Sequence, residues 1–305
     1  MATETRTLQS SPSILPLYAR AAAPLIPGAS LLPFVPGGGG EIPEIELELV
    51  NVKADSQAVA AYARVCGFTL RDQLPPTYPH VLAFPLHMAL MADGRFPFGA
   101  VGLVHVENRI AQHRPLGLGE ELTLRARPTA LAPHPKGKTF TIVTEARTAG
   151  GELAWEGVST ILRRGKGDPD AEGGAGFALD PATPASAEWK LGADLGRRYA
   201  AVSGDRNPIH MHALTARPLG FPAAIAHGMW TKARCLAALE ARLPDAFAVE
   251  VRFRKPILLP ARVEFASAGD IEFAVREARK ATPHLDGRIV PDAQIPYQNR
   301  PRRNQ

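Results

Sequence analysis

One half of this chain echoes the other, so its fold must be one that similar stretches of sequence can adopt twice. Tyr62-Ala63-Arg64-Val65-Cys66-Gly67-Phe68 aligns with Tyr199-Ala200-Ala201-Val202-Ser203-Gly204-Asp205. Ala83-Phe84-Pro85-Leu86-His87-Met88 aligns with Ala224-Ile225-Ala226-His227-Gly228-Met229, and Arg114-Pro115-Leu116 with Lys255-Pro256-Ile257. The last two matches share an offset of 141 residues, and the first is shifted by four. Their common order and spacing point to duplication. Residues 165–185 are dense in Gly, Pro, Ala and Asp and read as a linker. The expected division is a first module over 1–164, the linker 165–185, a second module over 186–295 and a basic tail over 296–305.

Hydrophobic patterning gives both modules the same outline. Residues 44–50 alternate Ile45, Leu47 and Leu49 with acids, as a half-buried strand does. Asp55 is placed to cap a helix to about Val65, and Asp194 to cap its counterpart to about Val202 before Gly204. Residues 228–243 are rich in Ala and Leu without a breaker and form the clearest helix. Strands are expected over 102–108, 121–127, 140–146 and 153–162, then over 249–254, 262–266 and 271–275. One long helix and an antiparallel run of strands per module imply an α+β fold. A curved sheet wrapped around the helix would bury it.

Residues 203–210 carry the chemistry. They place Asp205 and His210 five residues apart across a turn forced by Asn207-Pro208. A carboxylate and a neutral imidazole aimed at one water can move a proton on and off a carbon acid. On spacing alone, a turn held by an ion pair remains an open alternative. The first module has Phe68 and Gln73 at the matching positions, so any such chemistry occurs once per chain.

Composition narrows the class. Hydrophobic residues make up 45% and charged residues 21%, which fits a globular protein with a sizeable core. The net charge is +5, but Arg300, Arg302 and Arg303 sit in the tail, and a body at +2 argues against a nucleic-acid partner. Two distant cysteines, Cys66 and Cys235, exclude a CxxC metal site and fit a reducing, cytoplasmic setting. No apolar run is long enough for a membrane span, and the N-terminus lacks the basic cluster and apolar core of a secretory signal.

Residues 203–210, followed by Ile225-Ala226-His227-Gly228-Met229, resemble the signature of the MaoC-like, or (R)-specific enoyl-thioester hydratase, family. The first half, with its YARVCGF and LPPTYPHVLAFPLHMALM segments, is similar to the degenerate N-terminal half of two-domain bacterial 3-hydroxyacyl-thioester dehydratases. The resemblance implies a double hot-dog fold and reversible dehydration of (R)-3-hydroxyacyl thioesters to trans-2-enoyl thioesters in fatty-acid metabolism. It implies a coenzyme A or acyl-carrier-protein thioester as substrate and no metal or redox cofactor. Carried onto this chain, it makes Asp205 and His210 the pair that holds the water. It makes the Gly228 N–H, at a helix start, the donor to the thioester oxygen. Asn207 is expected to shape the loop and hold Asp205 or substrate, Pro208 to fix the turn, and Ser203 to bond to the loop backbone.

Some relatives carry an assisting serine six residues after the HGM histidine. Ala233 stands there in this chain, so that role is absent or filled otherwise. His227 reads as a packed histidine whose ring satisfies a backbone group, and His212 as exposed or structural. His80, His87 and His105 are assigned no catalytic part. Lys136, Lys138, Arg252, Arg254 and Lys255 are candidates for carrier phosphates or members of solvated faces. Phe68, Leu74, Tyr78, Val81, Leu82, Phe84 and Met88 are either core or the lining for a long acyl tail. The competing activities are a hot-dog acyl-thioesterase and a non-catalytic acyl-binding subunit. The duplicated halves leave monomer and homodimer both open.

Overall fold

The alternation in residues 44–50 is borne out: Ile45, Leu47 and Leu49 are buried, and the acids between them are partly exposed. A computed structural model of the chain describes residues 3–22, 39–100, 102–171, 177–269 and 271–291. The basic tail over 296–305 lies outside them. The chain opens with β1 (Glu4–Leu8) and α1 (Ile14–Ala22), neither of which the sequence patterning announced.

The first module contains β2 (Ile45–Val52), β3 (Val104–Gln112), β4 (Leu122–Pro128), the short β5 (Ala132–His134), β6 (Gly137–Thr148) and β7 (Leu153–Arg164). The second contains β8 (Ala185–Leu191), β9 (Phe247–Phe253), β10 (Ala261–Ala268), β11 (Glu272–Glu277) and β12 (Pro283–Pro291). In space the first runs β2-β4-β6-β7-β3 and the second β8-β10-β11-β12-β9, with every neighbour antiparallel. Setting aside β5, which pairs only with β6, both modules have the strand order 1-3-4-5-2. The duplication read from three short matches is thus a duplication of topology.

The modules join through β3 and β9, which pair antiparallel and make one 12-stranded sheet of the described strands. Asn108 lies opposite Val251, and Ile110 opposite Val249. Under the 141-residue offset these two pairings exchange, so a pseudo-two-fold axis passes through Arg109 and Glu250. Those two side chains approach to 3.8 Å.

Two helices pack about this axis. They are α2 (Ser56–Cys66), capped by Asp55 Oδ1 accepting from Ala58 N–H at 2.8 Å, and α4 (Leu195–Ser203). Asp194 precedes α4 as expected, but its side chain makes no capping bond. Both helices stop at a glycine in the left-handed region, Gly67 at φ 86° and Gly204 at φ 75°. The central helices are α3 (Tyr78–Met91) and, after the short α5 (Pro208–Met211) and α6 (Ala213–Ala216), α7 (Gly228–Leu239). The last turn expected of α7 is instead a 3₁₀ turn over Glu240–Arg242.

Helix α3 packs against β2, β4 and β6. It is buried on nearly every side and carries Pro79 in its first turn and Pro85 inside, so it has neither the amphipathic period nor the proline-free run that marks a helix. The architecture is the α+β double hot-dog. No helix among the described residues is long and apolar enough to cross a membrane.

Candidate active site

Gly204 ends α4 and turns the chain into a loop that is tied to itself. Ser203 Oγ accepts from Asp205 N–H at 3.2 Å, and Asp205 Oδ1 accepts from Asn207 N–H at 3.1 Å. Asn207 Oδ1 caps α5 by accepting from Ile209 N–H at 3.4 Å, with Pro208 as the first helical residue. The one-turn helix α5 then delivers His210. Gly196 in α4 lets the His210 carbonyl approach, since a Cβ there would collide with it. Ser203 and Asn207 therefore shape the loop through its backbone.

Backbone carbonyls set the state of both nearby imidazoles. His210 Nδ1 lies 2.8 Å from Ile225 O, and a carbonyl partner requires Nδ1 to be the donor, leaving Nε2 bare. His227 Nε2 donates to Asp205 O at 3.0 Å, the packing role expected of it. Its buried Nδ1 has no partner among the described residues. The two rings stack with centroids 3.6 Å apart, and Tyr199 packs on His227 at 4.8 Å. One ligand-capable atom from each of Asp205, His210 and His227 lies within 4.8 Å of the others. These three could serve as metal donors, but the rings are nearly parallel (24°) and stacked, so no single ion can lie in the plane of both.

Burial works against the Asp205 anion. The imidazoles of His227 and His210, the Asn207 N–H and the Tyr18 O–H outweigh it and hold the carboxyl below its usual range. Burial also lowers both histidines, His227 to about 3, and keeps them neutral near pH 7. The loop thus holds an ionised carboxylate beside an imidazole with a free lone pair.

Asp205, Asn207, Ser203, His210, His227 and Gly228 all line one cavity of about 1010 Å³. Gly228 begins α7, where amides lack intrahelical acceptors. A Cβ there would stand 2.9 Å from the Phe253 ring, so the glycine answers to protein packing as well as to ligand approach. The cavity opens at exposed residues, among them Pro135, Lys136, Arg254 and Lys255. It ends among buried Met88, Met91, Phe140, Ile161 and Leu162 of the first module. Of the candidate tail residues, Val81, Phe84 and Met88 line it, whereas Phe68, Leu74, Tyr78 and Leu82 do not. Of the candidate basic residues, Lys138 alone is outside the lining. Arg252 pairs with Glu107 at 3.3 Å and Arg254 with Asp286 at 3.1 Å.

Several cavity residues lay beyond sequence reasoning. His80, His87 and His105 line it as a ring cluster, with His80 5.1 Å from His87 and 6.2 Å from His105. Burial lowers all three, His87 to about 3 and His105 to about 4. Tyr18 of α1 also reaches the site, donating to Asp205 Oδ1 at 2.9 Å. Glu240, the carboxylate considered for a thioesterase, accepts from Thr69 N–H at 2.9 Å, lies 3.6 Å from Arg71 and is not in the lining.

Fold and site together define a double hot-dog protein with one carboxylate–imidazole cavity among the described residues. The MaoC like domain family matches residues 181–278. The chain is 38% identical over 265 residues to 3-hydroxyacyl-thioester dehydratase X of Mycobacterium tuberculosis, covering 86% of this chain and 94% of that protein. It superposes on the crystal structure of HtdX of M. tuberculosis with a TM-score of 0.72 and 37% identity, over 81% of this chain and 99% of that one. A second M. tuberculosis protein described as a double hot-dog fold aligns over 79% of this chain and 93% of its own with a TM-score of 0.51. At 14% identity it speaks to the fold alone. The chain belongs to the MaoC-like dehydratase family and is a hydro-lyase.

Proposed function

We propose that this chain reversibly dehydrates (R)-3-hydroxyacyl thioesters to trans-2-enoyl thioesters in fatty-acid metabolism, with Asp205 and His210 as the acting pair. One observation carries the reading: His210, its Nδ1–H engaged by Ile225 O, presents a bare Nε2 beside an ionised Asp205 in a deep cavity. In the hydration direction Asp205 and Nε2 hold a water. Nε2 takes one proton as the oxygen adds to C3, and the electron pair moves to the thioester oxygen. The Gly228 N–H holds that oxyanion. The imidazolium then returns the proton to C2. One nitrogen takes and gives the proton, so H and OH enter on the same face. Dehydration reverses these steps and releases water.

The acyl chain lies along Met88, Met91, Phe140, Ile161 and Leu162, and the carrier's phosphates meet Lys136, Arg252, Arg254 and Lys255. The carrier is coenzyme A or an acyl carrier protein. We read residues 1–164 and 186–295 as the two modules joined by 165–185. Their pairing through β3 and β9 supports a self-sufficient monomer. The buried, unpaired Cys66 and Cys235 fit the cytoplasm.

Absorbance of the conjugated enoyl thioester tests the reaction: it should fall on hydration with no release of free thiol. Thiol release without loss of the double bond would instead make the chain a thioesterase. A series of enoyl chain lengths on both carriers tests the tail assignment, which a preference for four carbons over long chains would sink.

A further inference from the structure

Helix α1 lies outside the matched domain and far from it in sequence, yet it closes over the loop that bears Asp205. It packs on α3, and the side chain of its Ile14 stands where a Cβ on Gly204 would be. Tyr18 and Ala21 of α1 line the cavity. The Tyr18 hydroxyl makes two bonds to one turn, donating to Asp205 Oδ1 at 2.9 Å and accepting from Arg206 N–H at 2.7 Å. With Asn207 N–H also on Oδ1, that oxygen is held from two sides. Oδ2 lies 3.8 Å from His227 Nε2 and has no hydrogen-bond donor among the described residues.

We propose that Tyr18 is a positioning residue that fixes the Asp205 carboxylate through Oδ1 and leaves Oδ2 to hold the reacting water, so that α1 completes the active site. This inference rests on the function proposed above. The groups that act on Asp205 are His227 before α7, His210 from α5, the Asn207 N–H and Tyr18 from α1, and the Asp205 charge in turn acts on Tyr18, Tyr199 of α4 and His105 of β3, while Arg206 acts on Tyr18. Burial and the Asp205 charge both raise Tyr18, so it stays protonated and donates at every working pH. Its O–H favours the carboxylate over the acid.

The test is Tyr18→Phe in the full chain. With an enoyl thioester, kcat should fall about ten- to a hundred-fold, the worth of one hydrogen bond to a charge, with KM little changed. The acidic limb of the kcat/KM profile should move to higher pH, because a carboxyl without its donor holds its proton longer. Should Tyr18→Phe disturb folding, 3-fluorotyrosine at position 18 keeps the shape and is a stronger donor, so the limb should move to lower pH. Carbon-13 titration of the Asp205 carboxyl reads the same shifts without turnover. This separates a failure of the positioning role from a failure of the proposed reaction. Unmoved limbs and an unmoved titration in both variants, or a loss of rate with no shift in either, would overturn the proposal.

Discussion

The two modules share a strand order and differ where a central helix begins. Under the 141-residue offset Gly228 corresponds to His87, and α7 starts at Gly228 whereas α3 starts nine residues before His87, at Tyr78. The first module has therefore carried its helix through the space that the second leaves to the turns before α7. His87 lies inside that helix, where its own amide is engaged, and its Nε2 meets Thr144 Oγ1 at 2.7 Å. Phe68, opposite Asp205 in the alignment, is buried near Tyr62, while Gln73, opposite His210, sits exposed in a bridge with Gly117. Met91 is matched by Lys232, a fully buried lysine whose Nζ bonds to Asn108 Oδ1 at 2.6 Å and to the Asn108 and Val249 carbonyls at 3.2 Å. The sheet survived duplication because five antiparallel strands need one another's hydrogen bonds. The catalytic loop was free to diverge because one copy meets the need for chemistry.

The sharpest way to break this comparison is to treat both modules alike. Asp205→Asn or His210→Gln should lower kcat about 10²- to 10⁴-fold, as expected for loss of a positioned acid–base group. Gln73→Ala, at the position matching His210, should leave turnover and stability nearly unchanged. Enoyl absorbance and a thermal melt measure both. Next in size is Gly228→Ala, which should cost about 10²- to 10³-fold in kcat by pushing against Phe253 and moving the oxyanion donor. A crystal structure of that variant with an unmoved ring would exclude the packing half of this argument.

A separate effect, on stability rather than turnover, lies at acid pH. Burial depresses His87, His105 and His227 to between about 3 and about 4, below their ordinary value near 6.5. In that window the unfolded chain binds protons that the folded chain refuses. Stability is complete above about pH 6.5 and should fall as the pH drops below it, by roughly 1.4 kcal/mol per pH unit for each histidine. Urea titrations across pH 4 to 7 should show a shallower slope in His105→Phe. An unchanged slope would mean that His105 is not held neutral.

Reading the sequence recovered what local pattern encodes. The alternation at Ile45, Leu47 and Leu49, the cap at Asp55 and the stop at Gly204 each follow from chemistry within a few residues, and so does the turn at Asn207-Pro208. Helix α3 was missed because an all-apolar helix has no period and because Pro79 and Pro85 read as punctuation. Strand β12 was missed because Gly287 interrupts its pattern and a proline stands at each of its ends, although Phe273 packs where a Cβ on Gly287 would stand.

By itself, then, the sequence determined that two like modules exist and that only one carries a carboxylate and an imidazole on a short turn. The tertiary structure alone decided which tautomer His210 adopts, what Gly228 packs against, and that Tyr18 reaches Asp205 across 187 residues of chain. Those outcomes depend on groups brought together by sheet pairing and helix packing, and contacts at such separations leave no periodic or neighbouring trace in the order of the residues.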